Sequence, residues 1–457
     1  MRRYCVNTLG CKVNQYESQQ IRELLERLGL CEARSLSEHP DLIVVNTCCV
    51  THTASAKSRQ CIRRAQRLNP DALIVVCGCL PSMQIGELSD PIENVHLIGG
   101  QESLAATLNL VVTGSRSFHS NPHTIIRAES SEKIKHKNLL IEQSGLQPVN
   151  SFRGHTRAFL KVQDGCDGYC SYCIIPKTRP RLWSKAPAAA LQEAQSLVAA
   201  GHREIVVTGI FLGAYGQESV RRRNHKRLET DKLAGLLEKM ARIPGLARIR
   251  LSSLEPRDVT PRLLDVFCEH RNIMPHMHLS LQSGSNRVLN RMRRQYTAEE
   301  FGETAELVKG HLDRPAITTD IIVGFPGETD ADFEQTAALA TEVGFAKMHV
   351  FSFSPREGTA AARMQDVVDK RVTKERSRIL RQLDKNLGWK FHEQFVGQTA
   401  VVLLENNDGY PAGRSERYFT VRLENGCPGY QKNDLVKVRL IGHKNNGMSG
   451  QAIMKQS

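Results

Sequence analysis

The sequence predicts an α/β protein in three parts: an N-terminal doubly wound parallel sheet, a central partial (β/α)6 barrel and a small C-terminal antiparallel β-barrel. Two observations carry this. Short apolar runs alternate with amphipathic helical stretches in two long blocks. From Gly397 onward the rhythm changes to β-branched runs between Gly, Asn and Asp clusters. A chain of 457 residues, 40% hydrophobic and 24% charged, has ample material for several cores. Those figures exclude a disulfide-stapled mini-domain and global disorder.

The elements follow in order. Arg3 to Thr8, Asp41 to Asn46, Ala72 to Val76 and Val95 to Gly99 read as strands. An amphipathic helix from Glu17 to Leu28 and a basic helix through Lys57, Arg59, Arg63, Arg64 and Arg67 lie between them. A polar stretch without steady period then suggests a linker. Barrel strands are expected at Ala158 to Val162, Glu204 to Thr208, Arg248 to Leu251, His276 to Leu281, Ile317 to Val323 and Ala346 to Phe351. Helical sequence separates them, as in 186-APAAALQEAQSLVAAG-201. The last part offers strands at Thr399 to Leu404, Tyr418 to Leu423 and Leu435 to Leu440. The expected domains are residues 1–112, a linker at 113–151, a core at 152–388 and a final barrel at 389–457.

Sixty-two Lys and Arg against 48 Asp and Glu leave a net charge of +14, which favours a polyanionic partner. The apolar runs are too short to span a membrane, and MRRYCVNTLG lacks the apolar core of a signal peptide. A cytoplasmic location without a membrane partner is the expectation. Thirteen cysteines in such a chain point to metal or redox chemistry rather than disulfides.

Cys166, Cys170 and Cys173 stand in 164-DGCDGYCSYCIIP-176, directly after the first barrel strand. A compact loop with this spacing can aim three thiolates at three corners of a cubic iron-sulfur cluster and leave the fourth iron open. A structural zinc site would want a fourth ligand, and the loop has none. Cys11, Cys48 and Cys79 follow the first three strands of the N-terminal sheet, where ligands of open parallel sheets gather. Singly, each reads as a small apolar residue; at equivalent strand ends they read together as a second cluster. Cys49, Cys77, Cys5, Cys31, Cys61, Cys268 and Cys427 are assigned to packing or chance.

The loop 164–176, with Tyr172 before its last cysteine, resembles the signature of radical S-adenosylmethionine (SAM) enzymes. Together with 7-NTLGCKVNQYES-18, 46-NTCCVT-51 and 77-CGC-79, it makes the chain resemble the radical SAM methylthiotransferases over nearly its whole length. The wording around Cys11 is most similar to the branch acting on N6-threonylcarbamoyladenosine at position 37 of tRNA.

The resemblance implies two 4Fe-4S clusters, one on Cys166, Cys170 and Cys173 that binds SAM and an auxiliary one on Cys11, Cys48 and Cys79. It implies a TRAM-like RNA-binding barrel at the C-terminus. It further implies two SAM molecules with separate fates: one methylates a sulfur on the auxiliary cluster, and the other is cleaved to the radical that activates carbon 2 of the base. Segments 279-LSLQSGSNRVLNRMRR-294 and 319-TDIIVGFPGETDADF-333 are also similar to family segments, while 176-PKTRP-180 departs from the expected wording. Glu255, Gln282 and Gly324 to Gly327 are candidate SAM contacts, the glycines equally readable as turns.

The partner implied is the anticodon loop of tRNA, with adenosine 37 splayed into the barrel mouth. Arg153, Arg157, Arg179, Arg181 and the run Arg221 to Arg227 are phosphate candidates there. Arg414, Arg417, Tyr418 and Lys432 are candidates on the last barrel. The chain is expected to act as a monomer, with an electron donor and a sulfur donor left unidentified. Alternatives are the same chemistry on N6-isopentenyladenosine-37 or on a ribosomal protein, or a non-catalytic Fe-S RNA-binding protein.

Overall fold

The computed structural model describes residues 1–81, 94–98, 104–113, 145–221, 231–406, 411–424, 426, 429–444 and 447–453. Most of the expected linker, the run 222–227 and Cys427 lie outside these residues.

The N-terminal part is a five-stranded parallel sheet in the order β2-β1-β3-β4-β5. Its strands are β1 (Arg3–Thr8), β2 (Cys31–Glu32), β3 (Leu42–Thr47), β4 (Leu73–Gly78) and β5 (Val95–Leu97). The central strand β3, LIVVNT, is buried at every position because helices cover both faces. Those helices are α1 (Lys12–Arg27), α2 (His52–Leu68) and α3 (Leu104–Thr113). Helix α1 begins five residues before the expected Glu17, with Cys11 itself as N-cap.

The central part is an arc of six parallel β/α strands. They are β6 (Arg157–Lys161), β9 (Glu204–Thr208), β10 (Arg248–Leu251), β12 (His276–Leu279), β13 (Ala316–Val323) and β14 (Lys347–Ser352). A short pair, β7 (Gln163–Asp164) and β8 (Trp183–Ser184), flanks the cysteine loop, and β11 (Ser253–Leu254) carries on from β10 to pair with β12. Between them run α4 (Ile175–Thr178), α5 (Pro187–Ala199), α6 (Lys232–Ala241), α7 (Pro261–Glu269), α8 (Asn286–Arg291), α9 (Ala298–His311) and α10 (Asp330–Val343). The sheets β10-β9-β6 and β11-β12-β13-β14 abut through the Ile249–Ile273 bridge. No pairing joins β6 to β14 among the described residues, so the arc is open on that side. Helix α1 packs against β6 at this opening.

The long helix α11 (Lys370–Glu393) leads into a closed barrel of β15 (Thr399–Asn406), β16 (Ala412–Arg414), β17 (Thr420–Leu423), β18 (Leu435–Lys444) and β19 (Gly447–Ala452). Four of its pairings are antiparallel; β17 and β19 run parallel. The barrel is therefore not purely antiparallel as expected. The chain must return beside β17 to close it, and a fifth strand in an odd-numbered barrel cannot keep every pair antiparallel. No helix among the described residues is long and apolar enough to cross a membrane.

Candidate functional site

The ends of β1, β3 and β4 bring Cys11, Cys48 and Cys79 together, and two glycines explain how. At Gly10 (φ +118°) a Cβ would lie 2.9 Å from the Cys48 Cβ and from Asn14 Oδ1. At Gly78 (φ +88°) it would lie 2.4 Å from the Thr47 carbonyl oxygen. Only glycine lets these turns close on the neighbouring strand. The Cys79 N–H donates to Thr47 O (3.0 Å), and the Cys11 thiol donates to Asn14 Oδ1 (3.2 Å). The Cys11 thiol feels the charge of Cys79, and the Cys48 thiol that of both Cys79 and Cys11. Burial pushes the Cys48 thiol up to about 11. Cys79 is lowered to about 6, first by a hydrogen bond from Cys49 and then, against burial, by the Arg179 guanidinium. Cys49 is thus a buried neighbour of Cys79, its thiol 3.3 Å from the Cys79 carbonyl oxygen.

The second trio lies in the loop between β7 and α4. The Cys166 N–H donates to Arg179 O (2.9 Å), and the Cys173 N–H to Cys170 O (3.1 Å). Ser171 fastens the loop to the barrel through Arg291 O (2.7 Å), Met292 O (3.0 Å) and the Ala361 N–H (2.7 Å). Burial raises Cys166 to about 11 and Cys173 to about 12. Thiols this reluctant to ionise hold a metal only if the metal displaces the proton, which suits a multiply charged cluster rather than a free thiolate nucleophile.

A buried arginine stands beside each trio. Arg294 Nη1 donates to the Cys170 sulfur (3.2 Å). Its other contacts are Glu255 (2.5 Å), the Tyr296 hydroxyl (3.1 Å) and the Tyr296 ring (4.9 Å). Arg179 lends its positive charge to the Cys79 sulfur and is held in a fork by Glu17 of α1 (2.8 and 2.9 Å) and by Asp164 (2.9 and 3.0 Å). Lys161 Nζ completes this group at 3.1 Å from Asp164 and 3.4 Å from Glu17. Burial alone would raise the Asp164 pKa, but the Arg179 and Lys161 charges hold it down at about 2. Arg179 therefore touches both trios, its carbonyl on Cys166 and its guanidinium on Cys79.

That geometry corrects the expectation that Arg179 binds phosphate: its side chain is only 4% exposed, and both terminal nitrogens are taken by carboxylates. Others also differ. Arg157 pairs with Glu405 (3.0 Å) and the Tyr418 hydroxyl (2.9 Å), and Arg153 with Glu26. Arg414, Arg417 and Tyr418 turn toward the central part, because Tyr418 stacks on His276 (4.6 Å) and Arg417 binds Asp313 (2.9 Å). Lys432 is exposed near Gly154 O (3.4 Å), Arg181 is exposed, and Arg221 lies over the Tyr169 ring (5.8 Å). Of the candidate SAM contacts, Glu255 faces Arg294 beside Cys170, and Gln282 takes φ +68° where it bridges to β13. Gly324 and Gly327 are filled by the protein itself, against Thr373 and Asp366.

Sequence reasoning missed two features and named the cations of a third, on α2, without giving them a role. Arg294 lies within a quoted segment, but only the folded chain brings it to Cys170. Lys437 and Arg439 project outward from β18, which their alternation with buried Val436, Val438 and Leu440 could have revealed. A groove of about 740 Å³ runs along α2, lined by Lys57, Arg59, Arg63, Arg64 and Arg67, in a helix without a single acidic residue.

Residues 160–340 match the family model of the Radical SAM superfamily, and residues 3–100 match the model described as Uncharacterized protein family UPF0004. The chain is 38% identical over 430 residues to threonylcarbamoyladenosine tRNA methylthiotransferase MtaB of Bacillus subtilis, covering 93% of this chain and 88% of that one. It is 37% identical to the protein of the same name from Chlamydia pneumoniae, over 97% of both. It is also 34% identical to tRNA-2-methylthio-N(6)-dimethylallyladenosine synthase of Pelotomaculum thermopropionicum, over 92% of this chain and 91% of that one. Among solved structures it resembles the radical SAM methyltransferase TsrM of Kitasatospora setae, with a TM-score of 0.53 at 15% identity, over 77% of this chain and 73% of that one. That likeness is one of fold.

Proposed function

The chain belongs to the radical SAM methylthiotransferases, tRNA-modifying enzymes, and on that premise we propose that it adds a methylthio group to carbon 2 of N6-threonylcarbamoyladenosine at position 37 of tRNA. The observation that carries the two-centre reading is Arg179, which ties the loop of Cys166, Cys170 and Cys173 to the strand-end group of Cys11, Cys48 and Cys79. In this reading the first trio holds the 4Fe-4S cluster that binds SAM and the second holds an auxiliary 4Fe-4S cluster. The donor sets fit: three thiols each, near one another, with no fourth Cys or His in the loop 164–176. When bound, these groups supply reductive cleavage of SAM and a transferable sulfur, chemistry that a non-acidic C–H bond requires.

The chain's own residues position and tune. Arg294 and Arg179 each place a positive charge on one ligand sulfur, which stabilises the more reduced, more negative state of a cluster. The Glu17, Asp164 and Lys161 contacts fix the N-terminal sheet against the barrel, so the distance between the two centres is set by a buried ion network. Boundaries near residues 112, 151 and 388 separate the three working parts in this proposal. The tRNA backbone fits the α2 groove and the outward cations Lys437 and Arg439, since phosphate contacts need accessible positive charge rather than shape. The C-terminal barrel serves as the TRAM-like RNA module.

Mass spectrometry of tRNA nucleosides tests the proposal. Cells lacking the gene should lose 2-methylthio-N6-threonylcarbamoyladenosine and accumulate the unthiolated nucleoside. Loss of the methylthio group from dimethylallyladenosine instead would transfer the function to that substrate.

A further inference from the structure

Between the trio at Cys11 and the C-terminal barrel lies a cavity of about 1100 Å³, inside the open arc of the central part. It is large enough for a modified nucleoside. Three consecutive strands line it with two residues each, among them His278 from β12, Asp320 from β13 and His349 from β14. Their nitrogen and oxygen atoms lie within 4.8 Å of one another. His278 Nε2 is 3.3 Å from Asp320, and its Nδ1 is 3.0 Å from Thr318 Oγ1. Lys12, the residue after Cys11, lines the same cavity from the N-terminal sheet, and its charge is felt by Asp320 and His276.

Much of this polar equipment is unspent. Lys12 and His349 have no hydrogen-bond or ion-pair partner among the described residues. His276, 6% exposed, leaves its Nδ1 without a partner. The buried His276 nitrogen is costly to leave bare, while the half-buried Lys12 and the exposed His349 offer charge and hydrogen bonds that a polar ligand can take over from water. A divalent cation is a poor choice, because the Lys12 ammonium adds positive charge beside the three potential ligands.

The two substrate classes of the similar enzymes differ in what hangs on N6 of the adenine. A threonylcarbamoyl group carries a carboxylate, a hydroxyl and a carbamoyl N–H; a dimethylallyl group carries only carbon and hydrogen. Carbon 2 and the carbon that bears N6 flank the same ring nitrogen. With carbon 2 held at the two cysteine trios, the N6 substituent would enter the cavity from the side that Lys12 lines.

We propose, resting on the function inferred above, that Lys12, His278, His349 and Asp320 form the subsite that reads the N6 substituent. Lys12 and the two imidazoles hold its carboxylate, while Asp320 accepts from its carbamoyl N–H. A dimethylallyl group would leave Lys12 and His349 without a partner, and a site built to hydrogen-bond its substrate rejects an analogue lacking those groups far more strongly than a greasy pocket rejects a polar one.

The test uses anaerobically reconstituted full-length enzyme and three tRNAs, carrying at position 37 threonylcarbamoyladenosine, its carboxyl methyl ester or dimethylallyladenosine. The wild type should favour the acid over the ester by roughly tenfold to a hundredfold in kcat/KM, chiefly through KM. Lys12→Met and His349→Phe should each erase most of that preference, and Lys12→Arg should keep it. Iron content matching the wild type shows that the variants are assembled, and the acid-to-ester comparison on the wild type needs no variant at all. Equal reaction of acid and ester overturns this inference while the proposed function stands. Preference for dimethylallyladenosine overturns the substrate reading itself. Tight Mn2+ binding that His349→Phe removes would make the cluster a cation site and also overturn the inference.

Discussion

The two cysteine trios solve one problem with opposite architectures. Cys166, Cys170 and Cys173 lie within eight residues of sequence, in a loop whose fastenings, Arg291, Met292 and Ala361, all belong to the barrel. Cys11, Cys48 and Cys79 span 69 residues and meet only because three parallel strands end side by side. The supporting arginines repeat the contrast. Arg294 is anchored by Glu255 and Tyr296 within one part, whereas Arg179 is anchored across two, by Glu17 and Asp164. The loop site is self-contained, and the sheet site depends on docking.

The largest effects should come from removing ligands. Cys170→Ala should abolish both SAM cleavage, read as released 5′-deoxyadenosine, and methylthiolation. Cys79→Ala should abolish methylthiolation and leave SAM cleavage. If both variants lose both activities with cluster content intact, the two sites are not separable.

Next come the arginines. Arg179→Met strands the carboxylates of Glu17 and Asp164 in a dry interface, a cost of about 3 to 5 kcal/mol. It should raise hydrogen exchange in α1 as the N-terminal sheet loosens. Arg294→Met should leave α1 exchange unchanged and instead shift the midpoint potential of the loop cluster downward, since it removes a positive charge from Cys170. Equal exchange in α1 for both variants would dissolve the contrast.

How legible each site was in the sequence follows from the same difference. Spacing alone exposes the loop trio, because its geometry is local. The sheet trio needed strand assignments first, and those held where the apolar run is unbroken, as in 42-LIVVNT-47. The start of α1 was missed because its N-cap is Cys11, whose thiol makes no capping hydrogen bond, instead of a Ser, Thr or Asp. Strands β16 and β19, AGR and GMSGQA, lack β-branched residues and owe their conformation to pairing with neighbours. Arg179 was misread for a tertiary reason: its partner Glu17 is 162 residues away, so its burial cannot be seen from the basic run around it.

A smaller effect is the acid response of the docking network. Asp164 has its pKa depressed from 3.8 to about 2, so its stabilisation is present above about 3.8 and is lost as pH falls through about 2. Proteolytic protection of α1 should therefore persist on lowering the pH to about 4 and fail between that value and about 2. Protection lost near neutral pH would point to a different group.

The smallest effects belong to the RNA surface. Arg63→Glu and Arg64→Glu on α2 should each weaken tRNA binding severalfold at low salt. Each should also reduce the salt dependence of binding by about one counterion. Unchanged salt slopes would remove α2 from the interface.

The central claim is that the chain carries two independent metal centres. Iron and sulfide analysis with Mössbauer spectroscopy on anaerobically reconstituted protein addresses it, comparing the wild type with the Cys11, Cys48, Cys79→Ala triple variant and the Cys166, Cys170, Cys173→Ala triple variant. Two centres predict about eight irons in the wild type and about four, as one 4Fe-4S cluster, in each variant. A wild type with about four irons, or a triple variant that loses all iron or none, would contradict the account.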